Sequence, residues 1–185
     1  MEITELETNR LVLRQWKATD LAVFAELNAD PEVMAYFPNT LSQDQSDAVA
    51  HKCKSFIAKK GWGFWAVELK STKEFIGFVG LYEPDDDLPC SPCVEIGWRL
   101  LKQHWGNGYA TEAANTSLDY AFNTLNLDQV VSFTAVSNKP SRAVMERIGM
   151  QNSQQNFMHP ALAKSHPLAE HVFYALRRSN WLSKE

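Results

Sequence analysis

The run Gln103-His104-Trp105-Gly106-Asn107-Gly108-Tyr109-Ala110-Thr111-Glu112-Ala113 places two glycines, an amide and a hydroxyl ahead of an apolar-periodic segment. Glycine lets a backbone approach a ligand closely and adopt φ above zero. Successive N–H groups in such a loop form a concavity for anions. A helix starting at Tyr109 adds unpaired donors and a partial positive charge. Gln103 can supply a further amide donor, and Thr111 a hydroxyl in the first turn. A phosphorylated cofactor is the ligand this pattern predicts. No Lys-Ser/Thr pair follows the glycines, which argues against a nucleotide-hydrolysing P-loop. A dinucleotide fingerprint would space its glycines differently and place an acidic residue after a following parallel strand. On the residues alone, two turn glycines ahead of a helix remain the plain alternative.

Other side chains with chemical potential are scattered. Glu95 lies in a strand otherwise rich in Ile96, Trp98 and Leu100; by alternation it shares a face with Gly97, Arg99 and Leu101. A carboxylate there can hold or deprotonate an amine, or pair with an arginine. Ser141 stands near a helix start, where it can donate to a leaving group or serve as a turn or cap residue. Tyr109 and Tyr174 are reserve acids, with packing as the alternative. His104 and His171 read as rim or core residues. Cys90-Ser91-Pro92-Cys93 has redox or metal-ligand spacing but no second cysteine pair and no histidine knuckle nearby, so free thiols in a loop are expected and no metal.

These residues need elements to position them. Arg10 to Arg14 reads as a first strand. Thr19 or Asp20 can cap a helix to about Asn28, with Leu21, Phe24, Ala25 and Leu27 on its apolar face. Ser42 opens a second helix to about Lys60, which Gly61 ends. Strands follow over Gly63 to Leu69, Phe75 to Tyr82 and Val94 to Leu101. The first two form a hairpin through residues 70–74. The acidic Asp85-Asp86-Asp87 lies in the connection to the third and reads as solvated. Tyr109 to roughly Thr124 is a strong helix, with Ala110, Ala113, Ala114, Leu118, Ala121, Phe122 and Leu125 recurring at threes and fours. Gln129 to Val136 is a strand, Lys139 to Ile148 a short helix and His171 to Leu176 a last strand. Asn152 to Leu168 is weakly structured, with part of a strand around Gln155 to Met158. Short loops make the middle strands antiparallel, and the pair bracketing the Gly108 helix can be parallel. The result is a mixed sheet with helices on both faces.

The 185 residues, 45% of them apolar, suit one domain over residues 1–185. Eighteen basic and 22 acidic residues give a net charge of −4, and no basic block advertises a nucleic-acid surface. No apolar run reaches membrane-spanning length, and the acidic start lacks a signal-peptide core. No membrane association and a cytoplasmic location are expected.

With loop, strands and helices placed, the chain resembles the GNAT superfamily of N-acetyltransferases, most nearly the branch containing the ribosomal-protein N-terminal (alanine/serine) acetyltransferases. The matching residues are Thr8-Asn9-Arg10-Leu11-Val12-Leu13-Arg14, Glu95-Ile96-Gly97-Trp98-Arg99-Leu100, and Gln103, Gly106 and Gly108 of the acetyl-CoA signature. Asn138-Lys139-Pro140-Ser141, Ile148-Gly149-Met150 and Tyr174-Ala175-Leu176-Arg177 complete them. The resemblance implies an α/β (mixed α+β) acyl-CoA N-acyltransferase fold, with a central twisted, mostly antiparallel sheet of about six to seven strands. It implies acetyl-CoA as co-substrate. The pyrophosphate would sit in Gln103 to Ala110, which includes Trp105, Gly106, Asn107, Gly108 and Tyr109. The strand at Arg99, Leu100 and Leu101 would hydrogen-bond the pantetheine arm. Asn138 and Ser141 would lie near its thioester end. Catalytic roles fall to Glu95 and Ser141.

A thioester is already activated, so such an enzyme must mainly position a neutral amine and stabilise a developing oxyanion. No cysteine has an evident histidine partner, which favours direct transfer. Deprotonating an α-amino group at neutral pH costs about 1.4 kcal/mol, against about 4.6 kcal/mol for a lysine side chain. The expected acceptor is therefore a primary amine, first a protein or peptide N-terminal α-amino group. A small-molecule amine (amino acid, polyamine or amino sugar) and a catalytically silent CoA-binding module are the alternatives. The Asn28 to Asn39 and Asn152 to Leu168 regions are expected to line the acceptor cleft. Monomer and homodimer are both compatible with the sequence.

Overall fold

A computed structural model describes residues 2–84 and 88–183. The acidic run Asp85 to Asp87 lies outside the described residues. The chain divides into two compact units, Met1–Leu81 with Gly97–Ser117, and Tyr82–Ile96 with Leu118–Glu185.

In the first unit, β1 (Leu6–Glu7) pairs antiparallel with β2 (Leu11–Arg14), β2 with β3 (Phe64–Leu69), and β3 with β4 (Phe75–Tyr82). The last residue of β4 belongs to the second unit. The hairpin through residues 70–74 forms as its polar turn residues foretell. Every residue of β4 is buried, so it reads as a continuous apolar run rather than an alternation. Its neighbour is β5 (Glu95–Leu100), whose residues from Gly97 onward belong to this unit. A Cβ at Gly77 would lie 2.1 Å from the Arg99 carbonyl oxygen, so only glycine lets the backbones come this close.

Helices α1 (Asp20–Ala29) and α2 (Gln43–Lys60) belong to the same unit. Ser42 and Gln45 form the reciprocal cap that starts α2, and the Gly61 N–H closes it on the Ile57 carbonyl. The core holds Trp16, Phe24, Ile57, Trp65 and Phe78, with Trp16 and Phe24 meeting edge to face at 4.9 Å.

The start of α1 departs from the sequence reading. Thr19 makes no side-chain cap bond, and Asp20 turns its carboxylate elsewhere. Arg14 grips both Asp20 oxygens at 2.8 and 2.9 Å and donates from Nε to Glu68 at 2.7 Å. Lys17 adds a backbone bond to Asp20 and a side-chain bond to Glu68. A buried arginine recruits the nearest carboxylates, which outweighs a local cap.

In the second unit, the first two residues of β5 run parallel to β6 (Gln129–Ala135) at Glu95 opposite Val131, as expected for strands bracketing a crossover helix. All seven residues of β6 then pair antiparallel with β9 (Glu170–Arg177). The two-residue strands β7 (Gln151–Asn152) and β8 (Phe157–Met158) add to β9. Helix α4 (Lys139–Arg147) carries Pro140 in its first turn. Helix α3 (Tyr109–Asp119) begins in the first unit and ends in the second, where a π-helical turn, Tyr120–Thr124, continues it. A short α5 (Arg178–Leu182) sets Trp181 against Phe122 at 5.9 Å.

The elements absent from the sequence reading are β1, β7 and α5, and the Asn152 to Leu168 segment carries β8 only over the last two residues of the range expected for it. Elements of two to five residues are too short to show a period.

Candidate active site

The loop before α3 is built as its composition predicts. Lys102–His104 forms a 3₁₀ turn in which the His104 and Trp105 N–H groups are spent on Leu101 and Lys102. Beyond it the chain takes left-handed conformations at Gly106 (φ 77°) and Gly108 (φ 79°). The first hydrogen bond of α3 runs from Glu112 N–H to the Gly108 carbonyl. Among the described residues, the N–H groups of Gly106, Asn107, Gly108, Tyr109, Ala110 and Thr111 therefore donate to no protein acceptor. Six unspent donors in succession, at the positive end of a three-turn helix, fit a diphosphate.

The walls of this loop are polar and held. Asn107 donates to the His104 and Trp105 carbonyls at 3.2 and 3.1 Å, which fixes the turn. Gln103 leans on Glu74 at 3.3 Å. Trp105 is exposed, and its indole N–H donates to the Leu100 carbonyl at 2.9 Å. The Leu101 N–H donates to Ile76 of β4. Trp62 and Trp65 are buried in the core.

One residue beside the loop was given no role on sequence grounds. Arg10 lies over the Tyr109 ring at 4.5 Å and ion-pairs with Glu112 at 2.6 Å. A Cβ on Gly108 would sit 3.6 Å from its Nη2. Glu112 also accepts from the Thr8 hydroxyl and the Arg10 N–H. Burial pushes the Glu112 carboxyl up, but these bonds and the Arg10 charge outweigh it and hold it below the ordinary value. The separation of Arg10 from Glu112 in the chain hides the pairing; an arginine at the start of the first strand is the sole signal.

Arg99 is the second surprise. Alternation along β5 gives its direction, but not its surroundings. Its Nη1 donates to Asn28 Oδ1 at 2.6 Å, and its guanidinium lies 4.1 Å from the Phe37 ring and 5.5 Å from that of Phe78. It faces a cavity of ≈ 310 Å³ lined by residues of the Met34 to Leu41 segment and of α2. Asn28, expected at the edge of an acceptor cleft, is fully buried and fixed by Ser46 at 2.8 Å.

The remaining candidates lie in the second unit. Glu95 is partly buried at the paired end of β5. The next β5 carbonyl, that of Ile96, accepts from the Ser132 hydroxyl at 2.9 Å. Asn138 is the N-cap of α4: Oδ1 accepts from the Ser141 N–H at 3.2 Å and Nδ2 donates to Thr134 at 2.8 Å. Its amide thus has a structural task beside any contact with a ligand. The Ser141 hydroxyl makes no hydrogen bond among the described residues. Tyr174 is buried and donates to Glu146 at 2.9 Å.

His104 sits at the loop rim with Glu74 at 3.4 Å. His171 stacks with His159, Phe133 and Phe157. The Cys90 and Cys93 sulfurs lie 3.0 Å apart as free thiols. Burial, Cys90 and the Glu95 charge push the Cys93 thiol above its ordinary range. Among the described residues no group of three or more His, Cys, Asp or Glu is placed to hold a metal ion, and no helix is long and apolar enough to cross a membrane.

Comparison with known proteins agrees with this geometry. The family description "Acetyltransferase (GNAT) domain" matches residues 10–151. The "Uncharacterized N-acetyltransferase YnaD" of Bacillus subtilis (strain 168) is 28% identical, over 95% of this chain and 98% of its own. A crystal structure of the acetyltransferase from Agrobacterium tumefaciens str. C58 superposes with a TM-score of 0.75 at 30% identity, covering 96% of each chain. The spermidine N-acetyltransferase from Vibrio cholerae, crystallised with CoA and spermine, gives 0.73 at 24% identity, over 95% of this chain and 99% of that one. The chain belongs to the GNAT acetyltransferase family. It is an N-acetyltransferase that uses acetyl-CoA as co-substrate, and its mixed α/β fold is that of the family.

Proposed function

We propose that this chain acts as a single catalytic domain that moves the acetyl group of acetyl-CoA to the α-amino group of a protein or peptide N-terminus. The observation that carries the reading is the row of six unspent N–H groups from Gly106 to Thr111, which suits the CoA diphosphate and would aim the attached thioester. The acceptor follows from chemistry: an α-amino group surrenders its proton at neutral pH far more readily than a lysine.

In this reading Glu95 holds the ammonium and takes a proton, directly or through water. The freed nitrogen lone pair attacks the thioester carbonyl, so that a C–N bond forms and the C–S bond breaks. The Ser141 hydroxyl, which has no partner among the described residues, donates to the departing sulfur, and CoA leaves as its thiol. Arg99, Leu100 and Leu101 present strand backbone to the pantetheine arm. Gln103 and Trp105 flank the diphosphate, and the Asn138 amide approaches the thioester end.

A small-molecule acceptor is the second reading. The ≈ 310 Å³ cavity at Arg99 is at the small end of ligand sites, which suits a compact amine. Thiol release from acetyl-CoA with N-terminal peptides and with small amines decides between them. The peptide reading predicts turnover of peptides; turnover of small amines alone overturns it. Glu95→Gln should lower kcat at least tenfold and remove the acidic limb of the pH–rate profile. An unchanged profile would remove Glu95 from the chemistry.

A further inference from the structure

Arg99 brings a positive charge to a cavity that gives it no counter-charge. The walls are Met34, Phe37, Asn39, Leu41 and Val49, none of them ionisable. The contacts that hold the guanidinium are a neutral amide, Asn28, and the faces of Phe37 and Phe78. Among the described residues no carboxylate pairs with it. Its Nε is shut off from solvent and donates to no acceptor among the described residues. The Asn28 amide cannot swing away, because Ser46 fixes its Nδ2 and the Leu41 N–H binds its carbonyl.

Burial lowers the guanidinium pKa to about 10, which leaves it fully charged at neutral pH. A partly buried charge with no carboxylate beside it among the described residues carries a desolvation cost that a ligand of opposite charge would offset. The contrast with Arg14 is direct: that arginine, more deeply buried, is matched by two carboxylates of its own chain.

We propose that Arg99 is the anchor for a carboxylate on the acceptor, so that the substrate is an amine that also carries a carboxylate. This rests on the reading of the chain as an acetyl-CoA-dependent N-acetyltransferase and names the chemistry of its acceptor. The carboxylate belongs either to a free amino acid or to an acidic residue at a peptide N-terminus. The guanidinium end, with Nη donors beyond the one spent on Asn28, suits charge-assisted hydrogen bonds to such a group. The same charge disfavours polyamines, which would bring further cations to an unscreened guanidinium.

The test compares kcat/KM for free amino acids against their α-amides, and for Asp- and Glu-initiated peptide amides against Asn- and Gln-initiated ones, with spermidine as the cationic control. In one of the two series the carboxylate form should lead by about 10- to 100-fold; the series that shows it identifies the source. Arg99→Gln should bring that ratio to near one by raising KM, and Arg99→Lys should recover part of it. Because Arg99 would meet the pantetheine arm through its backbone alone, loss of its side chain should leave the acetyl-CoA dissociation constant within about threefold of the parent.

Equal rates for carboxylates and amides in both series, a ratio unmoved by Arg99→Gln, or a large loss of acetyl-CoA affinity in that variant would overturn the proposal. Should Arg99→Gln fail to fold, Asn28→Asp supplies an internal carboxylate and makes the same comparison. Calorimetric titration of the same compounds into the CoA-bound protein separates the two readings. Arg99-dependent binding of carboxylates with no turnover of any amine would leave the subsite standing and overturn the enzymatic reading, whereas turnover without discrimination would do the reverse.

Discussion

Arg10 lies over the Tyr109 ring, 4.5 Å from its centroid, while its guanidinium pairs with Glu112 at 2.6 Å. One residue just before β2 thus ties down the first turn of α3, where the row of unspent N–H groups ends. Arg10 is half exposed, so the pair itself contributes little to stability. Its effect should appear in ligand binding: the side chain sits beside Gly108 and adds positive charge to the anion site. Arg10→Ala is expected to weaken acetyl-CoA three- to tenfold, an effect of about 0.7 to 1.4 kcal/mol. The loss should shrink at high salt, where charge is screened. Calorimetry at low and high ionic strength checks both parts, and a salt-independent loss would point to turn geometry instead of charge.

Gly106 offers a cleaner probe of the loop. No described residue lies within 4 Å of the position a Cβ would occupy, yet its φ is 77°. Gly106→Ala should therefore cost about 1 to 2 kcal/mol of stability through backbone strain alone. If the CoA diphosphate occupies the loop, the methyl group also meets it, and acetyl-CoA affinity should fall at least tenfold. Denaturant unfolding and titration of one variant separate the two effects. A stability loss with unchanged affinity would place the diphosphate elsewhere.

The buried Arg14, Asp20 and Glu68 cluster predicts a pH-dependent stability. Burial pushes the Glu68 carboxyl up, but the bonds and charges of Arg14 and Lys17 outweigh it and leave it below its ordinary value. A carboxylate with a lowered folded pKa stabilises fully above its unfolded value. That contribution drains away as pH falls through the lower folded value. Glu68→Gln leaves Arg14 short of a counter-charge and should cost about 3 to 5 kcal/mol at pH 7. The gap between parent and variant in urea should narrow below about pH 4. A constant gap would mean that packing, not charge, sets the loss.

His171 predicts a second pH effect in a different window. Burial, aided by the neighbouring His159, lowers its pKa, and the Ala169 carbonyl only partly opposes this. A histidine held neutral in the fold stabilises fully above its unfolded value near 6.5. The contribution is lost as pH falls below about 6.5 towards the folded pKa, because the unfolded chain takes up the proton first. Thermal unfolding should show a decline over that range, and His171→Phe, which suits the ring cluster with Phe133 and Phe157, should flatten it.

Cys53 is buried, and burial pushes its thiol up to about 12. It should resist alkylation in the folded protein at neutral pH and react on unfolding, which a mass-spectrometric time course would follow. Rapid labelling of the native chain would show that α2 opens locally.

The local rules act over short distances, and they fixed most of what sequence alone could determine. Ser42 with Gln45, Gly61 after Lys60 and Pro140 in the first turn of α4 set helix ends within a residue or two. The alternation from Glu95 to Leu100 and the glycines at 106 and 108 announced a strand and a turn of left-handed backbone, because period and φ preference are properties of neighbouring residues. Asn138 as an α4 cap was visible as a turn residue, but not that its Nδ2 would serve Thr134. What tertiary structure decided were the pairings across long stretches of chain: Arg10 with Glu112, Arg14 with Glu68, and Arg99 with Asn28 but with no acid among the described residues. A sequence shows which charges exist. Whether each finds a partner depends on strand order and on what packs beside it, and the unmatched charge of Arg99 is a property of the folded chain alone.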